Sequence, residues 1–558
     1  MFKKNLEYIT NEDLKTRLQN YAIDETKANM SYCMTKSNDY LIMKNEIPID
    51  DLDDPRAAVQ KMMKECIKRP MGKNDIIITF GLGLCYQLDE VFNTYPSRIF
   101  VYEPDTKLIH FVLNNVDISD HLKSGRVFIY DNLDDLITKL SEIYLTKDKI
   151  EVIYLKNYAV IKSQELLALT QKVYEACKSK TVDINTITRY SKFWLNNTLT
   201  NIGLINNSNA YRLSDLDGKF VGQAALVIAA GPSLTENIGF IRANRQKFVI
   251  FAVNKVLKTL LNNDITPDFV VCADARYVGK TFAGIEDKLG NVNCITSINA
   301  DSSVLQNKFK KVFIAFPTND MVVNKLSNYN TFIKQQELGG SATTMAFVSA
   351  VNMGFSKVIM TGVDLAFKGE QVYANGESYE KISAKEMTIN SVTKNLTTVP
   401  SITGVDVPTS DDYAAFIHHF EVLIKELNYV STYNTSSFGA NIPGMKNMSI
   451  DKIPLLGISN TTAITLGEVQ PFKIETKIWT EDELITINEI ISLLSKAEFS
   501  TALVSKIAKS PLMYQYMQAD ILEVLQYKMA DELAEGFISK AKEGIKYIIE
   551  MLQKNNLI

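Results

Sequence analysis

LVIAAGPSLTENI, running from Leu226 to Ile238, decides the fold. Branched apolar residues give way to two alanines, then to Gly231-Pro232-Ser233, and helical spacing begins at once. Strand, tight turn and helix in that order are the repeating unit of a parallel sheet. Such a turn sets the helix's unpaired N–H groups beside the carboxyl edge of the sheet, where anions bind in open α/β folds. A structural reading stands beside that one. Ser233-Leu234-Thr235-Glu236 has the spacing of a capping box, and proline is routine at a helix start. These residues alone leave both readings open.

The alternation continues on both sides. ALVIAA, FVIFAV, DFVVCAD, NCITSI, KVFIAF and KVIMTGVD read as strands, with helices NKVLKTLLNND and SATTMAFVSAVNMGF among them. A polar stretch from Ser383 to Asp412 leads to the helix YAAFIHHFEVLIKELN. Upstream, DIIITFGLGLCYQLDEVF, RIFVYEPD, VFIYDNLDDLITKLSEIY and IEVIYL repeat the pattern, and two helical stretches, SQELLALTQKVYEAC and TITRYSKFWLNNTLTNIGLI, follow. Downstream of about residue 461 the sequence is nearly all helical, opened by an apparent capping box at Thr480–Glu483. The expected architecture is multi-domain α/β. It has a Rossmann-like domain (1–195), a second Rossmann-like catalytic domain (196–460) and a helical domain (461–558).

Bulk properties agree. A length of 558 residues exceeds one ordinary core, and about two to four domains are expected. A net charge of −4 offers no global basic field for nucleic acid or anionic lipid. No apolar run reaches the roughly 18 residues of a membrane span, and the amino terminus lacks a secretory pattern. The six cysteines form no CxxC pair and there are four histidines, which argues against zinc and fits a reducing cytoplasm.

Several turns carry chemistry. In ELGGSATTMAFVSAVNMGF, Gly339 and Gly340 admit close approach of a ligand, and Ser341, Thr343 and Thr344 add neutral donors on a helix start. The alternative is an ordinary capped turn, with Ala342 and Ala346 there for close packing. Asp364 ends the strand VIMTGVD, suited to catalysis or to holding a loop by accepting its N–H groups. Tyr373, in the loop beyond, can donate to a developing phosphate charge. Asn254 ends FAV, placed to bind a base or ribose or to cap a helix. Asp274 ends VVCA, but Arg276 stands where an Asp-x-Asp metal pair needs its second carboxylate. Near the amino terminus, Gly81-Leu82-Gly83 with Glu103 about 20 residues on has nucleotide-fold spacing. A third glycine is absent and Pro104 follows Glu103, so a non-binding Rossmann unit is preferred.

Taken in order, AAGPSL, FAVNKVL…TPDFVVCAD, GGSATTMAFVSAVNMGFSKVIMTGVDLAF and YNTSSFGANIPG resemble the motility-associated factor (Maf) flagellin glycosyltransferases, over roughly residues 75 to 460. FGLGLCYQLDEVF…RIFVYEPD is similar to the smaller domain ahead of the catalytic one in that family. The resemblance implies a cytoplasmic enzyme that moves a nonulosonic acid, of pseudaminic or legionaminic type, from its CMP-activated form to Ser or Thr of flagellin. The catalytic domain would be similar to bacterial sialyltransferases that work without metal or other cofactor. Gly231, Pro232, Ser233 and Asn254 would then lie along CMP, Gly340 and Ser341 would meet the sugar carboxylate, and Tyr373 would meet the phosphate. Gly339, Thr343, Asp274 and Asp364 are assigned to the same donor site. The chain has Ala230 where sialyltransferases carry asparagine before the Gly-Pro-Ser turn. It also has no histidine near Gly404-Val405-Asp406, where they place the base. Asp406 is therefore the expected base, with His418 and His419 as alternatives on a helix read as packed.

The nearest rival is an Mg²⁺- and ATP-dependent pyrophosphokinase of the hydroxymethylpterin type, sharing the fold and using Asp274 and Asp364 for the metal. A methyltransferase working from Gly81–Gly83 and a flagellin-binding chaperone without activity complete the alternatives. The flanking domains are expected to position flagellin beside the donor.

Overall fold

The computed structural model of the chain describes all residues except 22–29, 146–147, 375–382, 387–395, 459–465, 497–498 and 527–530. It forms two units, Met1–Ile184 and Asn185–Ile558. The boundary expected near 195 falls inside one continuous helix, Ser163–Asn206, which joins the two stretches read separately from the sequence. The boundary expected at 460 lies outside the described residues.

In the first unit an antiparallel sheet of β1 (Met30–Met34), β2 (Tyr40–Lys44) and β3 (Ile47–Pro48) precedes a parallel one. The parallel sheet holds β4 (Ile76–Phe80), β5 (Arg98–Tyr102), β6 (Val127–Tyr130) and β7 (Ile150–Tyr154), in the order β6-β5-β4-β7. The order reverses between β4 and β7, which makes this half of a doubly wound sheet. The sequence did not disclose the antiparallel sheet, whose first strand is mostly exposed and lacks a long apolar run.

The second unit is built on β8 (Ala210–Arg212), β9 (Ala224–Ile228), β10 (Val249–Val253), β11 (Phe269–Cys272), β12 (Asn293–Ser297), β13 (Val312–Pro317) and β14 (Gln335–Gln336), followed by β15 (Lys357–Thr361). A hairpin of β16 (Leu396–Pro400) and β17 (Asp406–Ser410) stands apart, and β18 (Ser431–Asn434) and β19 (Lys446–Asn447) close the sheet. The ten-stranded sheet runs β14-β13-β12-β11-β10-β9-β15-β18-β19, with β8 also on β13, and its pairings are parallel. Strands β9, β10 and β12 are buried at every position, as helices on both faces require. Phe251 of β10 and Phe269 of β11 stack with ring centroids 5.0 Å apart, each contributing about 1.5–3 kcal/mol by burial. Strand order turns back between β9 and β15, so the crevice at their carboxyl ends is the topological switch point.

The carboxyl-terminal helices Lys477–Leu494, Thr501–Lys509, Pro511–Gln526 and Asp531–Lys554 share a core with the sheet. Trp479, Leu503 and Ile548 join Ile314 and Phe316 of β13 in one apolar cluster. The expected separate helical domain is thus part of the second unit. The capping box expected at Thr480–Glu483 is not one. The helix starts at Lys477, Thr480 donates to the carbonyls of Thr476, which precedes it, and of Lys477, and buried Glu483 accepts from Ser510 Oγ and Leu512 N at the start of a later helix.

Candidate functional site

At the switch point the Gly231–Ser233 turn is closed by the protein itself. Asp364 Oδ2 accepts from Ser233 N at 2.8 Å and Oδ1 from Ser233 Oγ at 2.5 Å. Ser233 and Asp364 are 1% and 2% exposed. Gly231 N donates to Gly362 O, and a side chain at Gly231 would strike the Asp364 carboxylate. The capping box read at Ser233–Glu236 is absent: the serine turns to Asp364, and Glu236 forms an ion pair with Lys368 at 3.2 Å. Burial raises the Asp364 pKa, and the Ser233 hydrogen bonds pull it partly back. Of the two roles open to Asp364, the geometry shows the structural one.

The second helix start is open. Ser341 caps Ala342–Asn352, its Oγ accepting from Thr344 N at 3.1 Å while Thr344 Oγ1 accepts from Ser341 N at 2.9 Å. Gly339 has φ +72°, and a side chain there would collide with the Thr344 hydroxyl. Among the described residues the N–H groups of Gly340, Ala342 and Thr343 have no hydrogen-bond partner. Gly340 is exposed, and Ser341, Ala342 and Thr343 are half-buried. The helix start thus offers a set of donors to an anion.

Helix Asp411–Glu426 connects this turn to Tyr373. Phe416 lies 3.3 Å from where a Gly340 β-carbon would stand, and His419 Nδ1 lies 3.9 Å from it. His419 Nε2 faces Glu337 Oε1 at 3.8 Å. One turn before Phe416, Tyr413 is hydrogen-bonded to Tyr373, and burial, with Tyr373 and Asp364 nearby, holds the Tyr413 phenol well above its ordinary pKa. Tyr373 is 5% exposed, not a loose loop tyrosine, and accepts from Lys255 Nζ at 3.0 Å. Asn254, 5% exposed at the end of β10, makes no side-chain hydrogen bond among the described residues. At the end of β11, Asp274 Oδ1 accepts from Arg276 N at 2.9 Å, and its Oδ2 lies 3.4 Å from Arg276 Nη2.

Asp406, at the start of β17, is exposed, and no contact among the described residues ties its side chain to this group. His418 is exposed beside Glu421. Sequence reasoning passed over Lys255, Tyr413, Phe416 and Glu337. Tyr413, Phe416 and His419 recur at threes along one helix, the one local signal for a shared face.

In the first unit Glu103 accepts from Leu82 N at 3.1 Å, Asp105 N at 2.9 Å and Tyr158 Oη at 2.5 Å. The Tyr158 ring fills the space at Gly81, in the crevice between β4 and β7. Burial pushes Glu103 and Asp50 each up to about 7. A carboxylate read for a ribose is spent on the protein's own donors.

Together the elements define a doubly wound α/β protein with an anion-suited carboxyl edge. A family model described as 6-hydroxymethylpterin diphosphokinase MptE-like matches residues 196–370. An uncharacterized protein of Treponema pallidum (strain Nichols) is 26% identical over 115 residues, 21% of this chain and 51% of its own length. The chain thus spans about half the length of that curated relative. The solved MAf glycosyltransferase from Magnetospirillum magneticum AMB-1 aligns over 100% of this chain and 96% of its own, with TM-score 0.65 and 13% identity. The chain has the fold of a Maf glycosyltransferase.

Proposed function

We propose that the carboxyl edge of the ten-stranded sheet is the active site of a glycosyltransferase. It takes a nonulosonic acid, of pseudaminic or legionaminic type, from CMP and transfers it to Ser or Thr hydroxyls of flagellin. The observation that carries this reading is the helix Asp411–Glu426, which links the open donors of Gly340, Ala342 and Thr343 to the buried Tyr373 hydroxyl. Such a donor carries two anions, a carboxylate and a phosphate. The helix start suits the first and the tyrosine the second. Asn254 supplies an amide for the cytidine.

In the reaction the acceptor oxygen attacks the anomeric carbon as the bond to the phosphate oxygen breaks, and that electron pair leaves with CMP. Tyr373 donates to the phosphate as its charge grows. His419, beside Gly340 and oriented by Glu337, takes the acceptor proton, replacing exposed Asp406 in that role. The Gly231–Ser233 turn supports the site through Asp364 instead of presenting Ser233 N to the nucleotide.

The pyrophosphokinase reading is favoured by the description of the matching family model. It needs carboxylates for Mg²⁺, and the residues present fit poorly. Both Asp364 oxygens accept from Ser233, and Asp274 is held by Arg276. Incubation with CMP-pseudaminic acid or CMP-legionaminic acid and flagellin in EDTA separates the two. Glycosylated flagellin with released CMP supports transfer; AMP formed from ATP, hydroxymethylpterin and Mg²⁺ without sugar transfer replaces it.

A further inference from the structure

We infer that the open edge of β7 in the first unit is a docking groove for an extended segment of the acceptor polypeptide, which joins the sheet there as a further strand. The inference rests on the proposed transfer to flagellin. β7 ends the strand order β6-β5-β4-β7 and pairs with β4 alone. Ile76 N donates to Lys149 O and Leu155 N to Phe80 O, so the odd-numbered positions turn their backbone groups to β4. The N–H and C=O groups of Ile150, Val152 and Tyr154 therefore face outward, and among the described residues they have no hydrogen-bond partner. An unpaired row of this kind is a template for another strand. Proline, lysine or a bulge commonly guards such an edge, and Ile150–Tyr154 has none of these. Its one charge, Glu151, is tied to Arg69 at 3.0 Å.

The edge also lies in a groove. A cavity of about 530 Å³ is lined by Ile150 and Val152 of β7, by Val173 and exposed Tyr174 of the helix Ser163–Asn206, and by Arg69 and Lys149. Helix Pro55–Cys66, which ends just before Arg69, packs against β7 as well. A strand walled in this way admits a bare extended segment and keeps out a second copy of the chain, whose own β7 carries the same walls. The incoming segment gains main-chain hydrogen bonds along the edge, and every second side chain meets the apolar wall. The rim of the groove is cationic at Arg69 and Lys149, whereas the Asp148 carboxylate is buried against Arg98. The segment that fits is extended, apolar at alternate positions and acidic where it passes Arg69. Flagellin held by its main chain here keeps its serine and threonine hydroxyls elsewhere free for transfer.

Calorimetric titration and hydrogen exchange of the full-length protein with monomeric flagellin of the same organism test this. Both are measured without a sugar donor, so their outcome is independent of the transfer chemistry. Val152→Pro and Tyr174→Asp are compared with wild type, each checked for folding by thermal unfolding. Proline at Val152 removes an outward N–H and no bond to β4, as an edge strand tolerates. Flagellin should slow amide exchange at Ile150, Val152 and Tyr154 in the wild type. Each variant should weaken flagellin binding by about tenfold or more. Wild-type affinity in both variants, or no slowing at β7 with flagellin bound, overturns the inference while sugar transfer by the wild type keeps the proposed function. Slowing at β7 without any sugar transfer supports the groove and removes the proposed function. Slowing that grows with protein concentration in the absence of flagellin gives the edge to a second copy and overturns the inference. If Val152→Pro does not fold, Tyr174→Asp decides by the same readouts.

Discussion

Asp364 and Ser233, 131 positions apart, are joined by two hydrogen bonds, one from the serine backbone and one from its hydroxyl. The carboxylate does for this turn what a bound anion does in a nucleotide fold, and it fastens β9 to β15 at the switch point. Ser233→Ala leaves a buried carboxylate oxygen without its hydroxyl donor, at about 1–3 kcal/mol. Denaturant unfolding of the second unit should show a loss of that size, and Asp364→Ala a larger one. A Ser233→Ala protein as stable as wild type contradicts the structural role.

Ser341 and Thr344 hold the open helix start by reciprocal hydrogen bonds. Ser341→Ala removes the cap at about 1 kcal/mol and loosens the donors of Gly340, Ala342 and Thr343. Affinity for the CMP-sugar should fall more than affinity for CMP, which lacks the carboxylate. Calorimetry with both ligands checks this, and equal losses count against a carboxylate at this turn.

The two candidates for the base separate by location. His419→Ala should lower kcat by about 10²-fold or more, whereas Asp406→Ala, on an exposed hairpin, should leave it within about threefold. The reverse order would return the role to Asp406.

Much of this fold was legible in the residues. β4–β7 and β9–β13, with β15, announce themselves as apolar runs ending at turn residues. β18 does not: its residues Ser431–Asn434 are polar, and the strand exists because β15 lies beside it. Both capping boxes read from spacing failed because their side chains found better distant partners, Ser233 in Asp364 and Glu483 in Ser510. The candidate site could be read only as single residues at strand ends and helix starts. Its wiring could not be read. The Lys255–Tyr373 contact spans 118 positions, and a helix carrying His418-His419 reads the same whether it packs or lines a cleft.

Glu103 gives the first unit a pH dependence. Burial lifts it from the ordinary 4.5 to about 7, so the folded state binds its proton more tightly than the unfolded chain. The stability present below about pH 4.5 declines as pH rises to about 7 and levels off above, by on the order of 3 kcal/mol. Asp50, lifted to about 7 from 3.8, adds in the same direction. Hydrogen exchange of β4 and β5 at pH 5 and pH 8 should show this difference, reduced in Glu103→Gln. A variant with the full wild-type difference contradicts the assignment.

In the proposed function the carboxyl edge of the ten-stranded sheet receives a CMP-linked acidic sugar without a divalent cation. Calorimetric titration of the full-length protein with CMP in EDTA, beside ATP with and without Mg²⁺, tests it most directly. CMP should bind in EDTA, Tyr373→Phe should weaken the binding by about tenfold or more, and Mg²⁺ should change neither result. No CMP binding, together with ATP binding that appears on adding Mg²⁺, would contradict it and give the site to pyrophosphate transfer.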